Sequence, residues 1–524
     1  MSEYSIPLPT TACRDGIEIT VPLPVRNTIQ GGAHGVIKAK VGNRTLKYVM
    51  SDLSIQERHL IPLTYDMRTN QEMANTIQDV AMNLIFSKEG MRVMGTCNEG
   101  GIGAFFRSWG ELGAWKILAE AVEEAGYTLG REVCFGVDGA ADRFYKGNGV
   151  YELDGRSFDT MQLMEYYESM LDTYPILYAE DLFASRKEAW RHWSEFTSRF
   201  GERVFVSLDD VATTNARLVR PLIAEKTGNM LLLKMNQIGT MLEGWRAAET
   251  AHHAGWLTIS SHRSTSSIDF MEVEVALALS LRRPGLGRCV FAKWGGAKLI
   301  ERAMRYAMAQ QWVEDFAAGV ALFEPLSPDT RIQMFKGYPA PLNTGDLTLG
   351  VRIRLSNGFE INAVVPAGTS TGETEACLVP VVDAVRNVDQ LVSELHLVGM
   401  RLGDVPDQLT LTQRLLATEL QEASRIGQIK PDDSVGKLQE AAELKRCLGA
   451  NTLLGITVAY NRLIAVKEGK PSWLSLREAG QKLDRDGLTL CDEAFYEPII
   501  ASLRQTHHPS SRGTRLFGAA GTEL

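Results

Sequence analysis

The sequence predicts an α/β protein in which a (β/α)8 barrel of the TIM type is followed by a smaller α+β domain. Three observations support this fold class. Between residues 91 and 293, a short apolar run repeatedly precedes an amphipathic, helix-like stretch. Each of these runs ends in a charged or polar residue of a type used in catalysis. After Phe323 the pattern changes to an alternating strand pattern and then to long helical stretches.

The repeated runs are interpreted as the parallel strands of the barrel. Their last residues are Glu99, Asp138, Glu180, Asp209, Lys234, His262 and Lys293. Successive ends are 25 to 42 residues apart, which is enough chain for a loop, a helix and a return strand. In a (β/α)8 barrel the carboxyl ends of the strands meet at one mouth, where active sites lie. We therefore expect these side chains to converge, because such a series is not typical of solvated loop ends.

The segment after the barrel predicts an antiparallel hairpin followed by helices. Apolar and polar residues alternate on both sides of Asn357-Gly358, a dipeptide typical of tight hairpin turns. We expect three parts, namely a barrel over residues 1–325, an α+β capping domain over 326–480 and a C-terminal extension over 481–524. The Gly/Ser-rich tail of the extension is expected to be partly mobile.

Composition and charge restrict the classes of function. The 524-residue chain has a net charge of −9 and a sequence pI of about 5.7, so no overall positive field attracts it to nucleic acid or anionic membranes. The first residues do not resemble a signal peptide, and no apolar run is long enough to span a membrane. The seven cysteines are scattered, without a CxxC pair. We expect a cytoplasmic protein with reduced thiols.

Three of the predicted strand ends carry carboxylates, at Asp138, Glu180 and Asp209. Carboxylates that meet at one mouth repel each other unless a cation lies between them. A set of oxygen ligands favours Mg²⁺ over zinc, and Mg²⁺ usually retains positions for water or substrate. The sequence therefore predicts a magnesium site. The alternative is a set of structural salt bridges with Lys or Arg.

Two lysines also end predicted strands. Lys234 follows the apolar run LLL, and a lysine in a desolvated site beside other cations has a lowered pKa and can act as a base. Lys293 is either that neighbouring cation or a ligand for a substrate carboxylate. The alternative for either lysine is a surface residue that keeps its charged end in water.

Two further segments contain groups suited to binding anions. The run from Ser260 to Ser264 places the guanidinium of Arg263, which can bind phosphate through paired hydrogen bonds, beside His262 and several hydroxyls. Residues 366–373 (PAGTSTGE) form a small-residue loop of a kind that cradles phosphate or closes over a site, and a plain tight turn is the alternative. The nucleotide motifs GxxxxGK[ST] and strand-bound GxGxxG are absent from the sequence.

The strings around these residues resemble the enolase family. LLLKMNQIGT around Lys234 resembles the family's LLLKVNQIGT, and the family's SHRS string is intact at residues 261–264. Lys293 precedes a Glu-Arg pair by eight residues, as in the family. The strings GVD, ED and DD resemble the family's metal-binding strand ends and place them at Asp138, Glu180 and Asp209.

The resemblance extends upstream and into the second domain. LPVRNTIQGGAH resembles LPVPMMNIINGGSH and places a family histidine at His34, while Gln56-Glu57 and the NEGG string at Glu99 resemble two other family strings. AVVPAGTSTGETEA and LGANTLLGITVAYNRLIA resemble strings of the enolase N-terminal domain. Because enolases place that domain before the barrel, the resemblance implies a circularly permuted chain. Permutation is tolerated where the termini are close and the breaks fall in exposed loops.

The resemblance implies an enolase-like lyase that removes water from 2-phosphoglycerate to give phosphoenolpyruvate, with two Mg²⁺ ions in each active site. Lys234 would remove the proton alpha to the carboxylate, and Glu99 with Glu57 would protonate the departing hydroxyl. Lys293 would help to stabilise the enolate. The implied substrate-binding residues are His34, Gln56, His262, Arg263, Ser264 and Lys293. The implied metal ligands are Asp138, Glu180, Asp209 and, on the mobile loop, Ser370.

The resemblance also implies a small anionic, phosphorylated three-carbon acid as the ligand and a homodimer or higher homo-oligomer. Departures from the family strings, such as Leu182 in place of proline and Asn98 in place of aspartate, leave alternatives open. One is a specialised paralogue of phosphonate biosynthesis, similar to carboxyphosphonoenolpyruvate synthase, acting on 2-phosphoglycerate or phosphoenolpyruvate. The other is a non-catalytic binding protein with the enolase fold, which retention of the implied site residues argues against.

Overall fold

The computed structural model describes residues 11–41, 44–280, 287–320, 323–368, 372 and 374–506. Its strands are β1 (Thr11–Arg14), β2 (Ile17–Thr20), β3 (Leu23–Pro24), β4 (Arg26–Gln30), β5 (Val36–Val41), β6 (Arg44–Val49), β7 (Glu57–Pro62), β8 (Arg92–Thr96), β9 (Ile102–Phe105), β10 (Val133–Asp138), β11 (Tyr145–Gly147), β12 (Val150–Leu153), β13 (Arg156–Asp159), β14 (Ile176–Glu180), β15 (Phe205–Leu208), β16 (Met230–Leu233), β17 (Leu257–Ser261), β18 (Cys289–Lys293), β19 (Ile332–Pro341), β20 (Leu347–Leu355) and β21 (Glu360–Val364). Its α-helices are α1 (Met67–Ser87), α2 (Gly110–Glu124), α3 (Thr160–Thr173), α4 (Trp190–Phe200), α5 (Ala216–Ala224), α6 (Met241–His253), α7 (Met271–Ala278), α8 (Ile300–Ala318), α9 (Val381–Glu394), α10 (Gln408–Arg425), α11 (Val435–Leu444), α12 (Ala450–Glu468), α13 (Ser472–Arg485) and α14 (Asp492–Thr506).

Within the described residues, the first part of the chain forms a barrel whose sheet order is β3–β18–β17–β16–β15–β14–β10–β7–β4. Only Val25 separates β3 from β4, and its N–H donates to the carbonyl of Ala292 at 2.8 Å. The two segments therefore act as one interrupted strand, because β3 pairs with β18 while β4 pairs with β7. This strand closes the ring, and the predicted TIM barrel is confirmed.

One barrel strand runs against the others, which the sequence pattern did not indicate. β7 pairs antiparallel with both β10 and β4, while the pairs from β10 round to β3 are parallel. In this register Glu57, the first residue of β7, lies opposite Asp138, the last residue of β10. The reversal therefore places the beginning of β7 at the mouth where the parallel strands end.

The expectation that Glu99 ends a barrel strand is wrong. The run before it forms β8, which pairs antiparallel with β9, and β9 joins the barrel sheet by parallel pairing with β4. β8 is exposed or half-buried along its length, whereas β10 and β14 are fully buried, so β8 lies outside the ring. Glu99 lies in the hairpin turn, which the hydrogen bond from the Cys97 N–H to the Gly101 carbonyl closes at 2.8 Å.

Two apolar clusters form the core of the barrel region. The smaller cluster lies among the barrel strands and consists of Leu23, Val25, Ile61, Cys134, Leu177, Tyr178, Met230, Leu232, Ile259 and Phe291. The larger cluster joins strands to the surrounding helices and continues into the second part of the chain. Side chains of this kind fill a barrel below its mouth, so the charged groups are left at one end.

The second part combines an antiparallel sheet with helices, as the alternating pattern predicted. β19, β20 and β21 pair in order, and Gly358, with a φ of +87°, lies in the turn between β20 and β21. Almost every residue of α12 is buried, and α12 contacts both β20 and β21. A Cβ atom at Gly455 would lie 2.9 Å from the side chain of Val351, so the close approach of α12 to β20 requires glycine there.

The last two helices attach the C-terminal region to the barrel. The guanidinium of Arg477 in α13 donates to the carbonyls of Leu277 and Ala278 at 2.8 and 3.0 Å. Asp492, at the start of α14, accepts a hydrogen bond from Arg246 at 2.5 Å and also pairs with Arg220.

The predicted domain boundary after residue 480 lies inside α13. Residues 507–524, which include the predicted mobile tail, lie outside the described residues. No helix among the described residues is long and apolar enough to cross a membrane.

Candidate active site

Lys293, the last residue of β18, lies at the centre of the charged groups in the mouth. Its Nζ lies 2.8 Å from Oε2 of Glu57, 2.9 Å from Oδ2 of Asp138 and 2.6 Å from Oε2 of Glu180. Burial alone would lower the pKa of Lys293, but the three carboxylates raise it well above its usual value. Lys293 is therefore a fixed cation that holds three acidic side chains together.

A second acidic group lies beside it. Glu180, Asp181 and Asp209 each offer an oxygen, and these atoms lie within 4.8 Å of one another. Burial and the neighbouring Asp138 raise the pKa of Glu180 to about 8, and its buried Oε1 has no hydrogen-bond partner among the residues that the structure describes. A buried acceptor without a partner beside two further carboxylates is the environment in which a divalent cation can bind.

The structure brings the predicted metal ligands Asp138, Glu180 and Asp209 to the same mouth, but Asp138 does not belong to the acidic group of Glu180 and Asp209. Asp138 accepts hydrogen bonds from Lys293 and, at 3.2 Å, from Gln56. The third member of the acidic group is instead Asp181, whose two oxygens accept from the backbone N–H groups of Asp209 and Asp210 at 3.1 and 3.0 Å. Asp181 has a φ of +45°, in the left-handed region, so its backbone turns sharply directly after β14.

Lys234 follows β16 and points at the same acidic group. Its amine forms an ion pair with Oδ2 of Asp209, and the other oxygen of Asp209 accepts from Nε2 of Gln237 at 2.7 Å. The expectation of a lowered pKa for Lys234 is wrong for this state. Burial lowers the pKa, but Asp209 and Glu180 raise it above its usual value. The sequence pattern revealed the apolar run but not the carboxylate that pairs with the amine.

Glu57, Glu99 and His34 form a third group in the mouth, in which one imidazole lies between two carboxyl groups. Nδ1 of His34 lies 2.7 Å from Oε1 of Glu57 and 3.4 Å from Oε2 of Glu99. Burial raises the pKa of Glu99 to about 8, with Glu57 adding to the rise and His34 opposing it. Burial would also raise the pKa of Glu57, but Lys293 and its hydrogen bonds hold it well below its usual value. Near neutral pH Glu99 is therefore mostly protonated, and the neighbouring Glu57 is ionised.

His262 faces Glu99 from the end of β17. Burial and Arg302 lower the pKa of His262 well below its usual value, so the imidazole is neutral. The guanidinium of Arg302 donates to Nδ1 of His262, which assigns the remaining ring proton to Nε2. Nε2 lies 3.6 Å from Oε2 of Glu99. The tautomer therefore directs an N–H group towards Glu99.

Arg263 and Ser264 lie on the side of the mouth that faces the second part of the chain. Both side chains line the pocket, and Arg263 forms a double ion pair with Glu375. Backbone pairing between Thr265 and Ala367 fixes this contact, with the N–H of Thr265 donating to the carbonyl of Ala367 at 3.0 Å. A Cβ atom at Gly368 would lie 2.3 Å from the Arg263 guanidinium, so a side chain at this position would displace it.

One predicted metal ligand lies outside the described residues. Ser370 belongs to the segment 369–371, about which the structure gives no description. The glycines on either side, Gly368 and Gly372, are described. Gly368 lines the pocket, and the N–H of Gly372 donates to Oε1 of Glu375 at 2.9 Å.

The pocket is therefore lined by the predicted residues that the structure describes, apart from Glu180, which does not line it but contacts Lys293. Its lining includes His34, Gln56, Glu57, Glu99, Asp138, Asp209, Lys234, His262, Arg263, Ser264 and Lys293. Sequence reasoning missed Asp181, Asp210, Gln237 and Glu375 as site residues. Asp181 and Asp210 follow predicted ligands directly, and Gln237 and Glu375 lie inside the strings LLLKMNQIGT and GTSTGETEA. The signal for each was adjacency to a residue already singled out.

The fold and this mouth define a TIM-barrel protein whose candidate active site is built from strand ends and from one segment of the second part. Residues 18–285 match the family model of the enolase C-terminal TIM barrel domain. The chain belongs to the enolase family.

Curated relatives agree with this assignment. The enolase of Rubrobacter xylanophilus is 32% identical over 264 residues, which cover 50% of this chain and 56% of the relative. The enolase of Thermococcus kodakarensis is 33% identical over 262 residues, covering 50% and 57%, and that of Legionella pneumophila strain Corby is 30% identical over 266 residues, covering 50% and 58%. The chain thus spans a little more than half the length of the relatives that it matches.

Proposed function

We propose that the protein is a magnesium-dependent lyase that converts 2-phosphoglycerate into phosphoenolpyruvate and water. The observation that carries the proposal is one pocket lined by a lysine, Lys234, and by a carboxyl group of raised pKa, Glu99. An α-proton abstraction followed by loss of a hydroxyl needs a base for the first step and a proton donor for the second. Membership of the enolase family supports the same class of reaction.

The acidic residues fit a divalent metal. Oε1 of Glu180, which has no hydrogen-bond partner in the described part of the chain, and the nearby oxygens of Asp181 and Asp209 form a hard, all-oxygen donor set, which is the kind that Mg²⁺ prefers. Asp138 is the further candidate ligand at the same mouth, and Ser370 is proposed to hold a second ion. When bound, Mg²⁺ would supply positive charge opposite the carboxylate of the substrate, where the enolate charge develops.

The proton transfers are assigned to the chain's own residues. Lys234 in its neutral form takes the proton from the carbon alpha to the carboxylate, and the bonding electrons remain on the substrate as an enolate. The carbon–oxygen bond to the 3-hydroxyl then breaks as the oxygen receives a proton from Glu99, so that water leaves. The ionised Glu57 and Nδ2 of Asn27, which donates to Oε2 of Glu99 at 3.1 Å, keep Glu99 oriented for this transfer.

Binding of the substrate is assigned to the remaining groups of the mouth. Arg263 and Ser264 are proposed to hold the phosphate, because a guanidinium binds phosphate through paired hydrogen bonds. Lys293 is proposed to offset the negative charge of the enolate, since its own positive charge is held by three carboxylates. His34, Gln56 and His262 are proposed to enclose the three-carbon acid.

The second part of the chain is proposed to be the counterpart of the enolase N-terminal domain, attached after the barrel in permuted order. The contacts of Ala367 and Glu375 with the mouth support this, because both residues belong to the second part of the chain and meet the barrel at its candidate active site. The proposed oligomer is a homodimer or a higher homo-oligomer.

The test is direct. The purified chain is incubated with 2-phosphoglycerate in deuterated buffer, with Mg²⁺ or with excess chelator, and both phosphoenolpyruvate and deuterium at the alpha carbon are measured. We expect product and exchange with Mg²⁺ and neither with chelator. Full turnover in excess chelator would contradict the metal assignment. Absence of both product and exchange with Mg²⁺ would contradict the proposed reaction.

A further inference from the structure

The carboxylate of Glu375 binds the guanidinium of Arg263 through two hydrogen bonds, as an anionic ligand would. Nη1 of Arg263 donates to Oε1 of Glu375 at 3.1 Å, and Nη2 donates to Oε2 at 2.9 Å. The two side chains are 5% and 4% exposed, so the pair is held away from solvent. Parallel N–H···O bonds from one guanidinium to two oxygens of one group are also the geometry in which arginine binds phosphate.

We propose that Glu375 is a positioning residue that occupies the anion position of Arg263 until the phosphate of the substrate displaces it. The proposal rests on the proposed role of Arg263 in binding that phosphate. The carboxylate and the phosphate compete for the same donor pair, so the affinity for the substrate is reduced by the stability of the internal pair. The competing carboxylate belongs to the second part of the chain, while Arg263 follows barrel strand β17.

Displacement of Glu375 changes more than one ion pair. Oε1 of Glu375 also accepts from the N–H of Gly372 at 2.9 Å and from Nε2 of Gln237 at 3.4 Å. The same Nε2 donates to Oδ1 of Asp209 at 2.7 Å. Departure of Glu375 therefore removes the hydrogen bond between Gly372 and Glu375, and it leaves Nε2 of Gln237 to donate to Asp209. Binding of an anion at Arg263 is transmitted to both the segment and the acidic group.

The arrangement also selects the ligand by charge. A buried guanidinium without an anionic partner is strongly unfavourable, so a neutral group cannot take the place of Glu375. A ligand must bring a negative charge and at least two oxygens that match the two N–H donors. A phosphorylated acid meets this requirement, whereas the unphosphorylated acid cannot supply an anion at that position while its carboxylate is bound elsewhere.

The experiment uses inorganic phosphate as the probe and the full chain as the protein. Calorimetry measures phosphate affinity for the wild type and for Glu375→Gln, and we expect the variant to bind roughly 10- to 100-fold more tightly, since the competing state is removed. Glu301→Gln is the matched control. It removes the same charge from a carboxylate that also bridges the two parts, because Oε1 of Glu301 accepts from Asn343 at 3.0 Å. We expect its phosphate affinity to stay within about twofold of the wild type, because Glu301 accepts from Asn343 and lies 3.7 Å from Arg302, and neither of these groups is proposed to bind the phosphate.

The second readout is amide hydrogen exchange. Amide hydrogen exchange of the segment 366–376 in the wild type should accelerate as phosphate is added, because the bond from Gly372 to Glu375 is lost. In Glu375→Ala, which removes the acceptor of the Gly372 N–H, the exchange should be fast from the start and insensitive to phosphate. The proposal is overturned if phosphate binds the wild type and Glu375→Gln equally, or if it binds the wild type and leaves the exchange of this segment unchanged. Because inorganic phosphate requires no turnover, this outcome is independent of whether 2-phosphoglycerate is dehydrated.

Discussion

Lys234 forms an ion pair with Asp209, so the amine proposed as the base is bound to a carboxylate of the proposed metal group. The pair raises the pKa of Lys234 and keeps the amine protonated while Asp209 is available to it. A cation that took Asp209 as a ligand would weaken this restraint, and Glu180, which also raises the pKa of Lys234, belongs to the same acidic group. The proposed base and the proposed metal site would then be linked through the carboxylates that they share.

The first prediction concerns the base. Lys234→Ala should lose alpha-proton exchange by about 10²–10⁴-fold, the range typical of removing a general base. Mg²⁺ and substrate should still bind, because the carboxylates and Arg263 remain. Deuterium incorporation measures the loss, and Lys298→Ala is the control, since Lys298 forms a partly exposed pair with Asp79 away from the mouth. Wild-type exchange in Lys234→Ala would rule out this lysine as the base.

The second prediction concerns the metal. Asp209→Ala should weaken Mg²⁺ binding by at least about tenfold, because removing a residue that merely orients a metal ligand already costs about 10- to 100-fold. The protein should remain folded, which circular dichroism checks, and calorimetry measures the affinity. Asp79→Ala removes an exposed carboxylate of the same kind and should bind Mg²⁺ as the wild type does. Equal affinity in the Asp209 and Asp79 variants would exclude Asp209 as a ligand.

The third prediction follows from the pKa of Glu99, which burial raises from 4.5 to about 8. Between these values the native protein retains a proton that the unfolded chain releases. The free energy of unfolding should therefore decrease as the pH rises through this window, because the native state binds more protons than the unfolded state. Urea unfolding in chelator measures the slope. Glu99→Gln should make the slope shallower, although Glu180 contributes in the same direction.

The fourth prediction concerns the pH dependence of activity, which should follow the protonation of Glu99. If Glu99 is the proton donor, activity should decline as the pH rises through about 8, because the protonated form is lost. Glu99→Gln should retain alpha-proton exchange, which precedes the use of this proton, while losing product formation. A variant that formed phosphoenolpyruvate at the wild-type rate would assign the proton donor to another group.

The fifth prediction concerns the attachment of α14. Asp492→Ala removes the carboxylate that pairs with Arg220 and with Arg246, and the latter is 2% exposed. Leaving a buried donor without this partner should lower the free energy of unfolding by about 1–3 kcal/mol. Denaturant unfolding provides the measurement, with exposed Asp486→Ala as a control that should change stability little. No change in the Asp492 variant would show that the ion pairs do not stabilise the attachment.

Much of the barrel was predictable because its strands are buried runs that end in polar residues. The strands ending at or next to Asp138, Glu180, Asp209, Lys234 and His262 follow the predicted order. The sequence pattern did not predict the position or direction of a strand where these depend on its pairing partners and not on its burial. β8 has a similar composition, yet it belongs to a hairpin, and the reversed direction of β7 is fixed by partners distant in the chain.

The sequence predicted which residues contribute to the candidate site, but it did not predict which of them contact each other. Strand ends bring Lys234 and Asp209 to one mouth, and only the three-dimensional arrangement makes them an ion pair. The same holds for Arg263 and Glu375, which are 112 residues apart in sequence. The pKa of a buried group depends on which charges lie within a few ångströms, and a linear pattern does not contain that distance.

The interrupted strand formed by β3 and β4 has a consequence for biosynthesis. The ring closes only when β3, near the beginning of the chain, pairs with β18, whose register partner for Leu23 is Phe291. Contacts of such long sequence separation form slowly, since a long loop must be ordered first. On the ribosome, the first strand must therefore wait with one edge unpaired until residue 293 has emerged, and the segment that carries Glu375 emerges later still. The proposed permuted order would therefore delay completion of the proposed anion site until the barrel beneath it can already have closed.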